Sequence, residues 1–396
     1  MKRNAAALEA ALVQLAALGL RRSRTTVEAR AAHGTLLAGG RELIDFSSND
    51  YLGLARHPAL AAAMSGCAAR CGAGSGASHL VSGHGSEHAR LEEELAAWTR
   101  RERALLLSTG YMANLAVLAA LAGRNERVLL DRLCHASLID GARLCGAKLK
   151  RYGHADATSA ARLLAEEPAR SCVIATDGVF SMDGDLAPVA ALAEAAQAAR
   201  AWLVVDDAHG LGVMGASGRG VLEHFGLGSA AVPVLIGTLG KAFGSFGAFV
   251  AGDAALIEFL VQKARPYIYT TALPQPVAAA TRTALQLAQD EPWRRERVLA
   301  LTARFRAGAR AAGVPLAASD TPIQPVVLGS AAAAVAAQRQ LQAAGLWVVA
   351  IRPPTVAAGS ARLRVTLSAA HTEAQVDALV AGLGEACARA AAEPAT

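Results

Sequence analysis

The chain has 396 residues, 53% of them hydrophobic and 18% charged, with a formal net charge of +6. That length exceeds one simple core and that composition excludes a disordered chain, so a large domain with one or two smaller parts is expected. The positive charge comes from dispersed arginines and short clusters such as Arg21, Arg22 and Arg24, with no basic stripe interleaved with aromatics, which argues against a nucleic-acid track and for small anionic ligands.

The apolar opening run to Leu20 is interrupted by Glu9 and Gln14, and RRSRTTVEAR stands where a signal peptide would need its cleavage site. An amphipathic helix is predicted there, within an N-terminal helical segment over residues 1–45. Next, GAGSGA (Gly72–Ala77) fits a loose dinucleotide fingerprint, but an alanine-rich helical stretch precedes it where a strand is required. His79, His84 and His88 follow in a loop pattern with no carboxylate at ligand spacing, so no metal site is expected. The apolar run from Ala104 to Ala122 carries Ser108, Thr109, Tyr111 and Asn114 and is broken by Gly110, which makes it a poor membrane span. Six cysteines without C-x-x-C spacing read as free thiols of a reducing compartment, and a cytoplasmic protein is expected.

From about residue 103 to 251 short apolar runs alternate with alanine-rich helical stretches. The runs are ALLLS, RVLLD, KLKRY, CVIATD, WLVVDD, PVLIGT and GAFVAG. This alternation predicts an α/β fold, a mostly parallel sheet covered by helices, in a large domain over residues 46–290. Ligands of such sheets sit beyond the carboxyl ends of the strands. Asp131, Asp177, Asp206, Asp207 and Thr238 close these runs. After QDEPW the pattern becomes helix, IQPVVLG, helix, LWVVAI, a Pro-Pro turn, RLRVTLS and a last helix, which reads as a small α+β domain over residues 291–396.

In IGTLGKAFGSFGA a single lysine, Lys241, stands among apolar and glycine residues. An amine in low dielectric loses its proton readily and becomes a nucleophile suited to a Schiff base. In WLVVDDAHGLG, strand alternation sends Asp206 and Asp207 to opposite faces, so one carboxylate at most meets a given ligand. STGYMAN places Ser108, Thr109 and Gly110 where a helix begins, a setting that cradles phosphate. DRLCHASL puts His135, whose flat ring can stack on another, after a strand end, and TDGVFSMDGD adds Ser181. A lysine, an aspartate, a stacking histidine and a phosphate-binding helix terminus are together what pyridoxal phosphate needs.

With FSSNDYLGL, DRLCHASLIDGA, DGVFSMDGDLAP, VDDAHGLGVMG, GRGVLEH, GTLGKAFG and AIRPPTVAAGSARLRVTLSAAH, nearly the whole chain resembles the α-oxoamine synthases, fold type I pyridoxal phosphate enzymes. The resemblance implies that Lys241 carries the cofactor and then removes the α-proton, Asp206 holds the pyridine nitrogen, His209 the ring hydroxyl, and His135 stacks on the ring. Gly110, Tyr111 and Thr238 would help hold the cofactor, with Ser181 close by. Arg21 resembles the acyl-substrate arginine, Asn49 lies in a loop lining the site, Thr355 falls in the substrate loop, and Arg364 would pair with the amino-acid carboxylate. Arg352, beside Pro353 and Pro354, suits the distal carboxylate of a pimeloyl group, so L-alanine and pimeloyl-CoA or a pimeloyl acyl carrier protein are the expected substrates. A homodimer without nucleic-acid or membrane partners is also implied, with Thr270 or Thr271 reaching the partner's phosphate.

The chain departs from the family pattern at Ala357, where proline is frequent, and at Asp177, where glutamate is. TDGVFSMDG is also the form of the glycine C-acetyltransferase branch, which stays open as the alternative. A non-enzymatic cofactor sensor would need a DNA-binding appendage, and about 45 residues before FSSND with no helix-turn-helix signal do not supply one. A nicotinamide dehydrogenase fails on the missing strand before GAGSGA.

Overall fold

The computed structural model describes residues 4–31, 33–168 and 170–392. In chain order the strands are β1 (Ala29–Arg30), β2 (Thr35–Ala38), β3 (Arg41–Asp45), β4 (Arg103–Leu107), β5 (Arg127–Asp131), β6 (Lys148–Tyr152), β7 (Cys172–Asp177), β8 (Trp202–Asp206), β9 (Val234–Thr238), β10 (Ala248–Gly252), β11 (Ile323–Gly329), β12 (Leu346–Trp347), β13 (Val349–Ile351) and β14 (Ala361–Thr366). The chain divides into two units, one made of residues 49–181 and 185–296, the other of residues 1–48, 182–184 and 297–396.

The first unit is built on a seven-stranded sheet in the order β4-β10-β9-β8-β7-β5-β6. The seven apolar runs supply these strands. β5 to β9 pair in parallel, and β10 alone runs antiparallel to both of its neighbours, β4 and β9. Most strands are buried on both faces, as parallel sheets require, because helices cover them. Val128, Leu130, Val173, Val204 and Ile236 of the sheet pack with Val117, Leu118 and Leu138 from the helices Gly110–Leu121 and Ala136–Leu144. Gly141 lets those two helices approach closely, since a Cβ there would stand 3.1 Å from the Asn114 carbonyl oxygen and 3.2 Å from Leu118. That approach fixes Asn114 over the sheet ends.

The second unit holds two small sheets, β1-β2-β3-β12 and β11-β14-β13. The N-terminal segment differs from the expected helical one. Its helix covers Ala5–Ala17, capped by Asn4, and none of that helix is buried. Beyond it β2 and β3 form a hairpin whose turn, Gly39-Gly40, has φ of 58° and 68°, the left-handed pair that glycine adopts without a Cβ penalty. Leu36, Ala38 and Leu43 bury a small cluster with Val27 and Trp347. No helix among the described residues is long and apolar enough to cross a membrane.

Asp131, at the end of β5, is a scaffold residue. Its carboxylate accepts the Leu133 amide at 2.7 Å, the Ala155 amide at 2.8 Å and lies 3.0 Å from His154 Nδ1, while His154 Nε2 meets Asp185 at 2.9 Å. Hydrogen bonds to the two carboxylates push the His154 pKa up to about 10. Because the folded value is raised above the unfolded value of about 6.5, the clamp's stabilisation is complete below that pH and is lost as pH rises toward 10. Denaturant unfolding of wild type and His154→Gln should therefore show a stability gap that is widest near about pH 6 and shrinks steadily toward about pH 10. A gap independent of pH would contradict the charged clamp.

Candidate active site

Lys241 sits in the turn between β9 and β10, closed by the Leu239 amide on Gly247 O at 2.9 Å and the Gly244 amide on Lys241 O at 2.8 Å. Gly244 has φ of 61°, and a Cβ there would lie 2.2 Å from the Ala55 nitrogen, so only glycine lets the turn pack on that backbone. The turn delivers Lys241 Nζ to 2.8 Å from His209 Nε2. His209 Nδ1 lies 2.7 Å from the Tyr51 hydroxyl, which donates to Asn49 Oδ1 at 3.2 Å. The directions close on one tautomer: with Tyr51 donating to Asn49, His209 donates from Nδ1 and accepts from Lys241 at Nε2. The amine thus faces a proton acceptor.

The two aspartates that end WLVVDD meet different partners. Asp206 accepts the Asn114 side-chain amide at 2.6 Å and the Ala208 backbone amide at 3.0 Å. Asn114 also donates to Ser137 Oγ at 2.7 Å, and that hydroxyl lies 2.6 Å from His135 Nδ1. Asp207 is fully buried, accepts the Val221 amide at 2.7 Å, and is wrapped so closely that a Cβ at Gly220 would lie 1.8 Å from it. Burial pushes its pKa well above the carboxylate range. Asp177 is raised in the same way, by burial first and then by Asp206, while one of its oxygens accepts the His135 backbone amide at 2.7 Å.

The strand β4 leads into Thr109, whose hydroxyl caps the helix Gly110–Leu121 by accepting the Met112 amide at 3.2 Å. Thr238 Cβ lies 4.0 Å from where a Gly110 Cβ would be, so the end of β9 and this helix terminus share one place. The Tyr111 hydroxyl is turned onto Asp140 at 2.6 Å. Ser181 is half-buried in the segment after β7. Lys241, His209, Asn49, Asp206, His135, Gly110, Tyr111, Thr238 and Ser181 therefore all belong to the first unit.

Arg21, Arg352, Thr355 and Arg364 belong to the second. Arg364 is buried on β14, opposite Pro325 of β11 and Val349 of β13. Its neighbour two residues back, Arg362, is paired with Asp183 at 2.5 Å. Arg352 donates to the Gly19 carbonyl. Thr355 accepts from Arg22 at 2.9 Å, so Arg22, not Arg21, is the arginine on Thr355, and Arg21 is exposed.

Residues 41–383 match the aminotransferase class I and II family. The chain is 57% identical over 376 residues to an 8-amino-7-oxononanoate synthase of Methylococcus capsulatus, covering 95% of this chain and 97% of that one. It is 59% identical over 350 residues to the enzyme of the same name from Pseudomonas aeruginosa, covering 88% and 87%. The chain belongs to the 8-amino-7-oxononanoate synthase family. Among solved structures, a serine palmitoyltransferase variant from S. paucimobilis with bound PLP and myriocin matches with a TM-score of 0.93 at 28% identity, covering 99% of this chain and 100% of that one. An 8-amino-7-oxononanoate synthase from Francisella tularensis matches with a TM-score of 0.76 at 32% identity, covering 87% and 97%.

Three residues that sequence reasoning passes over stand inside this family's candidate site: Tyr51, Asn114 and Ser137. Each had a signal. Asn114 is a lone amide in the apolar helix run ANLAVLAAL and is completely buried there. Tyr51 lies in FSSNDYLGL and Ser137 two residues after His135. The geometry separates the roles of the paired aspartates. Asp206→Asn should lower turnover by about 10²–10³-fold, the scale of losing one preorganised electrostatic partner, whereas Asp207→Asn should act on the unfolding midpoint and leave turnover near wild type. Steady-state kinetics with thermal melts on both variants decide it, and a larger loss of turnover in Asp207→Asn would invert the assignment.

Proposed function

We propose that this chain catalyses the pyridoxal phosphate-dependent condensation of L-alanine with a pimeloyl thioester, releasing 8-amino-7-oxononanoate, carbon dioxide and free thiol, a step of biotin biosynthesis. The observation that carries this reading is the 2.8 Å contact of Lys241 Nζ with His209 Nε2 beside Asp206, in a chain 57% identical to a synthase of that name. The residues fit the cofactor. Lys241 offers an amine for its aldehyde, Asp206 an oriented carboxylate for its ring nitrogen, His135 an exposed flat ring, and the Thr109-capped helix with Gly110, Tyr111 and Thr238 an anion site. Bound there, the cofactor supplies an electrophilic aldehyde and a protonated ring that accepts the electron pair left at the donor's α-carbon.

The chain's own residues do the rest. Lys241 is the base that removes the α-proton, and His209, whose Nε2 lies 2.8 Å from its amine, is placed to hold the ring hydroxyl. Asn114 and the Ala208 amide hold Asp206 in one orientation, which keeps its charge on the ring nitrogen. Ser137 donates to His135 Nδ1, which leaves His135 Nε2 as a donor. Ser181 and Asn49 line the ligand's surroundings. Arg364 pairs with the amino-acid carboxylate by a two-pronged fork, and Arg352 or Arg21 supplies a cation for the far carboxylate of the acyl chain, with Thr355 beside Arg22. We place the enzyme in the cytoplasm as a homodimer. Its free cysteines suit that compartment, and exposed Leu80, Val81 and Tyr269 flank the Ser78 and Thr271 bridge as apolar surface a second copy would cover.

A paired assay of thiol release with mass detection of product tests the reading. L-Alanine with pimeloyl thioester should give the aminoketone at least about a hundredfold faster than glycine with acetyl-CoA, because an acyl chain ending in methyl forgoes the ion pair with the arginine proposed for the far carboxylate. Faster turnover with glycine and acetyl-CoA would replace this function by that of glycine C-acetyltransferase.

A further inference from the structure

Three imidazoles that the cofactor chemistry does not use come together where the segment after the helix Pro58–Cys71, with its π-helical turn His79–Gly83, meets the first turn of the helix Ser86–Thr99, which carries His88. One ring nitrogen from each of His79, His84 and His88 lies within 4.8 Å of the others. His79 Nδ1 and His84 Nδ1 are 2.9 Å apart. The outward nitrogen of one ring is hydrogen-bonded to a carbonyl and that of a second faces a carboxylate beyond hydrogen-bond distance. His88 Nε2 lies 2.6 Å from the Leu273 carbonyl oxygen, and His84 Nε2 lies 3.9 Å from Glu92 Oε2. Glu92 stands one helical turn beyond His88, and its other oxygen accepts the Leu106 amide at 2.8 Å, which fixes the carboxylate. His79 stacks on Tyr267 with centroids 4.9 Å apart and planes 14° from parallel. Metal-bound histidines characteristically have their free nitrogen held by a carbonyl or carboxylate in this way.

We propose that His79, His84 and His88 form a binding site for a zinc ion or another divalent transition ion that prefers imidazole, with Glu92 and the Leu273 carbonyl orienting the ligands. With Nε2 of His88 donating to Leu273, Nδ1 carries the lone pair. It now accepts the Gly85 amide at 2.9 Å, and the ion takes that amide's place. Zinc–nitrogen bonds of about 2.0–2.1 Å require the three nitrogens to draw together by small side-chain rotations, and water completes the tetrahedron. His84, with 31% of its side chain exposed, gives the ion its way in. Burial pushes all three imidazoles below their ordinary pKa, so they stand in the neutral, ligating form. The bound ion clamps this loop to the segment that carries Tyr267 and Leu273, already joined to it by the Ala272 amide on Ala77 O at 2.9 Å.

The test uses cofactor-loaded protein stripped of metal with a chelator, then titrated with Zn²⁺ in competition with a chromophoric chelator. Wild type should hold one Zn²⁺ per chain and gain thermal stability from it. His84→Ala, a change at an exposed position, should lose both, and Glu92→Gln should bind about 10–100-fold more weakly. Co²⁺ should give visible ligand-field bands in wild type that are absent in His84→Ala. Since the cofactor is present in every sample, ion bound to its phosphate cancels in the comparison. Equal Zn²⁺ retention and equal melting response in wild type and His84→Ala would overturn the site and leave a hydrogen-bonded histidine cluster.

Discussion

Three buried carboxylates and a lysine amine converge at the carboxyl ends of β7, β8 and β9, and the fold has to satisfy each of them away from bulk water. Buried charges persist only when paired, hydrogen-bonded or neutralised. The four groups are accommodated in more than one way. Asp207 is wrapped by the backbone at Gly210 and Gly220 and pushed toward its neutral form. Asp177 goes the same way while holding the His135 amide. Asp206 instead accepts two donors, one of them from the helix Gly110–Leu121, and Lys241 has His209. The hydrogen bonds on Asp206, Asp177 and Lys241 hold these groups in one geometry, which a reaction at a single carbon needs, while Asp207 Oδ1 is buried without a hydrogen-bond partner among the described residues.

Much of this was legible in the sequence, for physical reasons that can be named. Strands buried on both faces read as short apolar runs, so β5, β7, β8, β9 and β10 stand out between alanine-rich helices, while the edge strand β6, KLKRY, is largely exposed and stands out by its place in the alternation. A two-residue period puts neighbouring aspartates on opposite faces, which raises the question of Asp206 against Asp207 before any coordinates. What was not legible depends on contacts between distant residues. Asn114 reaches Asp206 only because Gly141 lets two helices close up, and Tyr51 reaches His209 across 158 positions. Asp131 closes a strand as Asp206 does, yet it serves His154 and two turn amides. The N-terminal hairpin was hidden behind helix-forming composition, although Gly39-Gly40 marks its turn.

The second unit shows the same logic in RLRVTLS. Arg362 and Arg364 stand two apart on β14 and so share a face. Arg362 is paired with Asp183, and Arg364 is the one that the family resemblance assigns to the substrate carboxylate. The histidine trio is the converse case. Its residues looked incidental because the carboxylate near His84 comes from Glu92, whose relation to the loop appears only once the helix Ser86–Thr99 is formed.

The central claim is that Lys241 is the amine that bonds the cofactor, and chemical trapping tests it most directly. Borohydride reduction of the cofactor-loaded protein fixes the cofactor covalently to whichever amine holds it, and peptide mapping then locates the mass. The account predicts the label on the peptide containing Lys241 and none in Lys241→Ala. A label on any other lysine would contradict it.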